Sequence, residues 1–297
     1  MKRWRHRAKI AVGLFGIASA IAVYAAMRER PAPPAPAVAP TRLDPSALIE
    51  SSGAVLQQVR GTKQDFLVKA EQQLTYEGGA TRLINVEISV KNKSGRDFVI
   101  TAKEARAGQA QRELQLQGTV RLSASDGFSL STEEAFFSEA DGHVRTPGMF
   151  AFSRGQMHGT GTGMTYDRGA DVLSILGQAD VRLADGTGNT VTQFLSGQAV
   201  FTRPEHLLLL SETVHILHDS QTADANNAAV HLTDDDSLLT RIELRGQSEV
   251  GGGTSSLSRL RANSIDLNYA PDGHRLRSVS LNGDGAIVLA GNEGAPG

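Results

Sequence analysis

From about residue 54 onward, apolar and polar residues alternate with a period of two, and the alternation comes in repeats. Leu114-Gln-Leu116-Gln-Gly118-Thr-Val120-Arg-Leu122 alternates almost without fault, as do Leu173-Ser-Ile175 and Ile242-Glu-Leu244. Such a period puts successive side chains on opposite faces of a strand, giving each run one apolar and one polar face. Turn-forming triplets separate the runs: Lys93-Ser-Gly95, Ser125-Asp-Gly127, Ala140-Asp-Gly142, Ala184-Asp-Gly186 and Pro271-Asp-Gly273. Small or polar positions inside the runs recur at Asn85, Gly118, Gly148, Gly177, Ser211, Gly246 and Gly283, at intervals of 33, 30, 29, 34, 35 and 37 residues. Each repeat is a hairpin with strands of about 8–11 residues, roughly 30 Å long at about 3.3 Å per residue.

A row of hairpins presents one long apolar face, which must fold over on itself to leave water. Glycines within the runs (Gly118, Gly159, Gly161, Gly163, Gly177, Gly246) are read as kinks or bulges that bend the sheet. Two stretches have a spacing a helix could also use, 44–60 and 103–111, and the second is better read as strand plus turn. The fold class is all-β: a folded-over antiparallel sheet. A barrel in the outer membrane would share the alternation but needs aromatic girdles. Aromatics are 5% here, with a single Trp at position 4. Zero cysteines exclude a disulfide framework, a Cys-ligated metal centre and thiol catalysis.

The near-neutral net charge of −2 conceals two unlike segments. Residues 1–30 carry seven basic residues and one acid, leaving 23 basic against 31 acidic groups in the rest. A body that acidic does not suit nucleic acid, whose phosphates need clustered cations. The basic end precedes an uncharged run, 10–27, carrying Ile10, Val12, Leu14, Phe15, Ile17, Ile21, Val23 and Tyr24. As a helix it spans roughly 27 Å at about 1.5 Å per residue, enough for a bilayer core. Cations before it predict a cytoplasmic N-terminus and an exported body. A cleaved signal peptide is the rival, but its apolar region is usually shorter, about 7–15 residues. Six prolines between 31 and 45 then form an extended spacer. The expected organisation is a cytoplasmic end (1–8), a transmembrane anchor (9–27), a spacer (28–50), a β body (51–291) and a tail (292–297).

Catalytic motifs are missing: there is no nucleophile elbow, Walker A loop, zincin helix or EF-hand loop. Gly159-Thr-Gly161-Thr-Gly163 lacks the lysine of a phosphate loop and lies inside a strand pattern. His215 and His218, with Asp219, His206 and His231, form the one candidate metal cluster. An odd spacing puts His215 and His218 on opposite strand faces, so no metal site is expected. Asp234-Asp235-Asp236 is read as a solvated turn. No catalytic residue, cofactor or metal is assigned, and no enzyme activity is expected. What remains is the apolar stripe of Leu114, Leu116, Val120, Leu122, Phe128, Leu130, Leu173, Ile175, Val181 and Leu183. It is either ordinary core or an open groove for acyl chains.

The phrases Leu116-Gln-Gly118-Thr-Val120-Arg-Leu122, Gly127-Phe-Ser-Leu-Ser-Thr-Glu-Glu-Ala-Phe-Phe137, Val144-Arg-Thr-Pro147 and Gly161-Thr-Gly163-Met-Thr-Tyr166-Asp167 resemble the LptC family of lipopolysaccharide export. The body repeats are similar to the OstA-like domain shared with LptA. The resemblance is strongest over 60–185, with 186–291 as additional LptA-like repeats. It implies a β-taco or jellyroll whose interior cradles lipid A acyl chains, carried on an inner-membrane anchor with the body in the periplasm. It also implies an LptB/LptF/LptG-like ATP-driven transporter as donor and an LptA-like bridge joined by edge-strand addition. Lipopolysaccharide would be the passenger and the ten stripe residues the acyl contacts. The alternative is an anchored β-repeat scaffold or adhesive protein with a closed dry core. A polysaccharide-active β-helix enzyme would need two convergent carboxylates.

Overall fold

In a computed structural model the described residues are 43–289, apart from 61–62, 92–95, 108–112, 139–141 and 253–256. The anchor run 10–27 lies outside them, and no helix among the described residues is long and apolar enough to cross a membrane. The unit beginning at Asp44 is an antiparallel meander. Its strands are β1 (Ile49–Arg60), β2 (Lys63–Thr75), β3 (Thr81–Lys91), β4 (Asp97–Ala107), β5 (Glu113–Ala124), β6 (Ser129–Ser138), β7 (His143–Arg154), β8 (Met157–Asp167), β9 (Val172–Ile175) and β10 (Ala179–Ala184). They continue with β11 (Thr190–Ser196), β12 (Gln198–Thr202), β13 (Leu207–His218), β14 (Gln221–Leu232), β15 (Leu239–Gly252), β16 (Leu257–Tyr269), β17 (Leu276–Asn282) and β18 (Ala286–Leu289). Each long strand pairs with the next along the chain. β9 and β10 together line up beside β8, β11 and β12 beside β13, and β17 and β18 beside β16. The 44–60 stretch is extended from Ile49, because pairing with β2 decides its conformation over any helical spacing.

The recurring positions in the sequence fall where the strands are interrupted. Backbone φ is positive at Asn85, Gly118-Thr119, Gln178, Glu212-Thr213, Gly246-Gln247 and Gly283-Asp284. Register slips there, between Thr101 and Glu104 against Gly118, and between Arg245 and Ser248 around Gly246. Left-handed backbone costs a non-glycine residue roughly 1–2 kcal/mol, so a line of such residues marks a feature the fold enforces. These bulges make a crease across the middle of the sheet. At Gly177 and Ser211 the residues that follow take the positive φ. At Gly148 neither it nor its neighbours does, although the β7–β8 register shifts beside it and Gly163 takes the positive φ on the partner strand.

The crease divides every long strand into two halves, and the halves face each other. Phe128 leads into β6 in one half-sheet and Tyr166 ends β8 in the other, yet their rings stack at 5.3 Å. Phe98 also approaches Tyr166 across the divide, at 6.4 Å. Alternation holds on both sides of the crease, as in the exposed–buried rhythm of β4. One continuous cluster runs from Val68 to Tyr269 between the half-sheets. The opposite edge, where the hairpin turns of the two halves meet, is the mouth of the fold.

Gly159 and Gly161 are not bulges, contrary to the expectation from sequence. Both sit in regular β7–β8 register, and neither has positive φ. Their role is close approach: a Cβ at Gly159 would overlap the Phe152 ring, and one at Gly161 would overlap the Ile175 side chain and press on Phe150. Gly161→Ala should therefore destabilise the body by about 2–3 kcal/mol through overpacking. Gly186→Ala, where a Cβ meets nothing within 4 Å, should stay within about 0.5 kcal/mol of the parent. Urea unfolding of the two variants measures the difference, and equal midpoints would refute the packing role.

Candidate functional site

Nine of the ten stripe residues are buried: Leu116, Val120, Leu122, Phe128, Leu130, Leu173, Ile175, Val181 and Leu183. Leu114 is half-buried and packs against the same cluster. The structure thus brings the stripe together on one interior surface, but as a filled core and not as an open groove. Val181 is 0% exposed and Leu183 1%. Aliphatic side chains dominate this interior along the length of the meander, with aromatic rings concentrated near β4, β6, β7 and β8.

The mouth above that aromatic cluster is held by ion pairs. Arg96 precedes β4 on one lip; its guanidinium meets Asp171 Oδ1 at 2.7 Å on the other and Asp126 Oδ1 at 3.1 Å on its own. Arg203, on the same lip as Asp171, reaches back to Asp126 Oδ2 at 3.2 Å and bonds Asp171 Oδ2 at 2.8 Å. Arg154 at the end of β7 meets Asp236 Oδ2 of the β14–β15 turn at 3.4 Å, and His206 Nδ1 lies 2.7 Å from Asp236 Oδ1. Arg96 also stacks over Phe98, Phe128 and Tyr166, with its guanidinium carbon 5.0–5.9 Å from the ring centroids. Beneath the clasp a small cleft is lined by Phe128, Phe152, Met157, Tyr166, Leu173 and Phe201.

These groups are mostly covered; the Arg96 side chain is only 11% exposed. Burial raises the Asp171 carboxyl, but hydrogen bonds from Arg203, Arg96 and Tyr166 outweigh it and hold it below its ordinary value. Burial and the Asp171 charge push the Tyr166 phenol up, so its hydroxyl stays protonated and donates to Asp171 at 2.9 Å. Asp236 corrects the sequence reading of a solvated turn. It is buried beneath Arg154 and His206, while Asp235 takes the turn-capping part with Thr233 and Ser237.

A second bridge across the mouth lies between β13 and β16. His218 is buried edge-on to Tyr269, at 5.0 Å between centroids. Next to it Asp219 Oδ2 meets His274 Nδ1 at 3.0 Å. Burial, then the neighbouring His274, holds the His218 imidazole below its ordinary value against an opposing pull from Asp219. His215 points the other way and pairs with Asp224 at 2.6 Å, as the odd spacing requires, and His231 pairs with Glu243. Sequence reasoning named His206 and Asp236 only in other roles, and missed His274 and the clasp pairing of Arg96, Asp126, Arg154, Asp171 and Arg203. Their partners sit in turns far apart along the chain, such as Arg96 and Asp171 at a separation of 75. Only the crease, which brings opposite turns together, makes them neighbours.

A creased antiparallel meander with a continuous apolar interior defines an all-β, jellyroll-like protein. The family model of lipopolysaccharide-assembly, LptC-related proteins matches residues 17–184, more than half of the chain. The chain belongs to the LptC family, which serves lipopolysaccharide transport in the cell envelope and is not an enzyme family. The match ends at Ala184, the last residue of β10, while the meander continues through β18. The comparison with curated proteins returned no match.

Proposed function

We propose that this chain is the inner-membrane-anchored periplasmic component of lipopolysaccharide export. Its 10–27 anchor associates with an LptB/LptF/LptG-like transporter, from which the body receives lipopolysaccharide and passes it to an LptA-like bridge. The acyl chains travel along the interior lined by Leu114, Leu116, Val120, Leu122, Phe128, Leu130, Leu173, Ile175, Val181 and Leu183. The observation that carries this reading is an apolar interior continuous along the meander and bounded on one side by a mouth joined through side chains. Backbone ladders open only with unfolding, whereas side-chain bridges part and re-form. The repeats after residue 185 lengthen the conduit. The free edges of β1 and of β17–β18 serve the neighbours, since Ile49, Val55, Ile287 and Val288 are exposed on strands paired on one side.

A photoreactive residue at Leu116 or Ile175 of the full chain should capture lipopolysaccharide during ATP-driven export, and only while ATP is supplied. No adduct at any stripe position would overturn the conduit. A filled interior is also what a dry scaffold would have. Displacement of a fluorescent fatty acid by lipopolysaccharide separates the two, because a scaffold binds neither.

A further inference from the structure

We propose that His218, Asp219 and His274 form a binding site for a divalent transition-metal ion, with Zn2+ as the best fit, that staples the mouth. One imidazole nitrogen from each histidine and one carboxylate oxygen lie within 4.8 Å of one another. Asp219 Oδ2 is 3.0 Å from His274 Nδ1 and 3.7 Å from His218 Nε2. Ligand atoms about 2.0–2.2 Å from a zinc ion stand about 3.3–3.6 Å apart around a tetrahedron. The 3.0 and 3.7 Å pairs bracket that spacing, and the exposed Asp219 and His274 side chains must close slightly to complete it.

The second observation is the state of His218. Its side chain is 4% exposed, and Nε2 is buried with no hydrogen-bond partner. The Gly273 backbone lies near enough to favour a proton on the ring, but not in hydrogen-bond geometry. Its other nitrogen, Nδ1, is 2.7 Å from the buried Thr192 Oγ1. With Nδ1–H donating to Thr192, Nε2 presents a lone pair toward Asp219 and His274. That arrangement, one nitrogen tied to a protein oxygen and the other left for the ion, is how metal-ligating histidines are oriented. An orphaned buried nitrogen is costly to a fold without such a ligand.

The donor set selects the ion. Two imidazoles and one carboxylate suit zinc and its neighbours, whereas calcium and magnesium favour all-oxygen sites. Asp219 and His274 are more than 40% exposed, so their side chains can close on the ion and water can complete the shell. Position gives the consequence. Asp219 lies in the β13–β14 turn on one lip and His274 in the β16–β17 turn on the other, so a shared ion ties the two half-sheets at the C-terminal end of the body. This inference stands whether or not lipid passes through the interior.

Titration calorimetry of the purified full chain in detergent with zinc chloride is the test. One tight equivalent is expected, together with cobalt(II) absorption of tetrahedral type and a rise in the melting temperature. Loss of an outer-shell partner alone costs roughly 10–100-fold in metal affinity, so His274→Gln, an exposed position, should weaken binding by at least about tenfold and abolish the thermal shift. His218→Gln should do the same if it folds, and His215→Gln, whose ring faces away, should leave both signals intact. Absence of a stoichiometric site in the parent, or binding retained in His274→Gln, would overturn the assignment.

Discussion

Joining the two lips should abolish lipid capture by the interior. With no native cysteine in the chain, a pair introduced as Asp126→Cys and Arg203→Cys can be bridged by a short bifunctional thiol reagent. The parent residues meet across the mouth at 3.2 Å, so the reagent replaces a breakable contact with a covalent one. Apparent binding scales with the fraction of molecules in the competent state. If lipid enters by parting the lips, bridging should lower photocrosslinking at Leu116 or Ile175 by at least about tenfold. The unbridged double variant has lost part of its clasp and should capture at least as much as the parent. Capture that survives the bridge would mean lipid enters from an end of the meander, beside β1 or β17–β18, and the clasp would then be structural.

The contrast between crease and mouth explains how much of this molecule could be read from its sequence. Period-two alternation fixes which side chains share a face, so all ten stripe residues meet on one interior surface. The crease was legible as well, since Asn85, Gly118, Gly246 and Gly283 stand out against their own alternating runs and take positive φ. Serine in the recurring position at 211 marked its bulge only approximately, because Glu212 and Thr213 adopt the left-handed backbone themselves. Core or groove stayed open in the sequence, because alternation says that an apolar face is covered, not by what, and here the opposite half-sheet covers it. Gly159 and Gly161 were misread because the reason for them lies in Phe152, Phe150 and Ile175, which no local pattern couples to them. The clasp was illegible in principle. Arg96, Asp126, Asp171 and Arg203 are ordinary turn residues until two separate hairpins are folded against each other.

Arg96→Met should destabilise the body by about 2 kcal/mol, and the effect should depend on pH in a defined direction. Removing one partner of a buried ion pair typically costs about 3–5 kcal/mol because the other charge is stranded. Asp126 and Asp171 retain about a fifth of their exposure and keep Arg203, which lowers the expectation toward 2. Methionine preserves much of the stacking on Phe98, Phe128 and Tyr166, so the loss reports mainly the charge. For a body of this size the melting temperature should fall by roughly 4–8 °C near neutral pH. Asp171 has its folded pKa depressed, burial opposing and Arg203, Arg96 and Tyr166 prevailing. Its contribution is therefore complete above the unfolded carboxylate value of about 3.9 and is lost as pH falls through the lower folded value. The gap between parent and Arg96→Met should hold from neutral pH down to about 4 and close below it. A gap that persists in acid would locate the role of Arg96 in packing on the rings, not in the carboxylates. If the gap closes, the clasp is an electrostatic lock, and the same substitution should also make the stripe easier for lipid to reach at neutral pH.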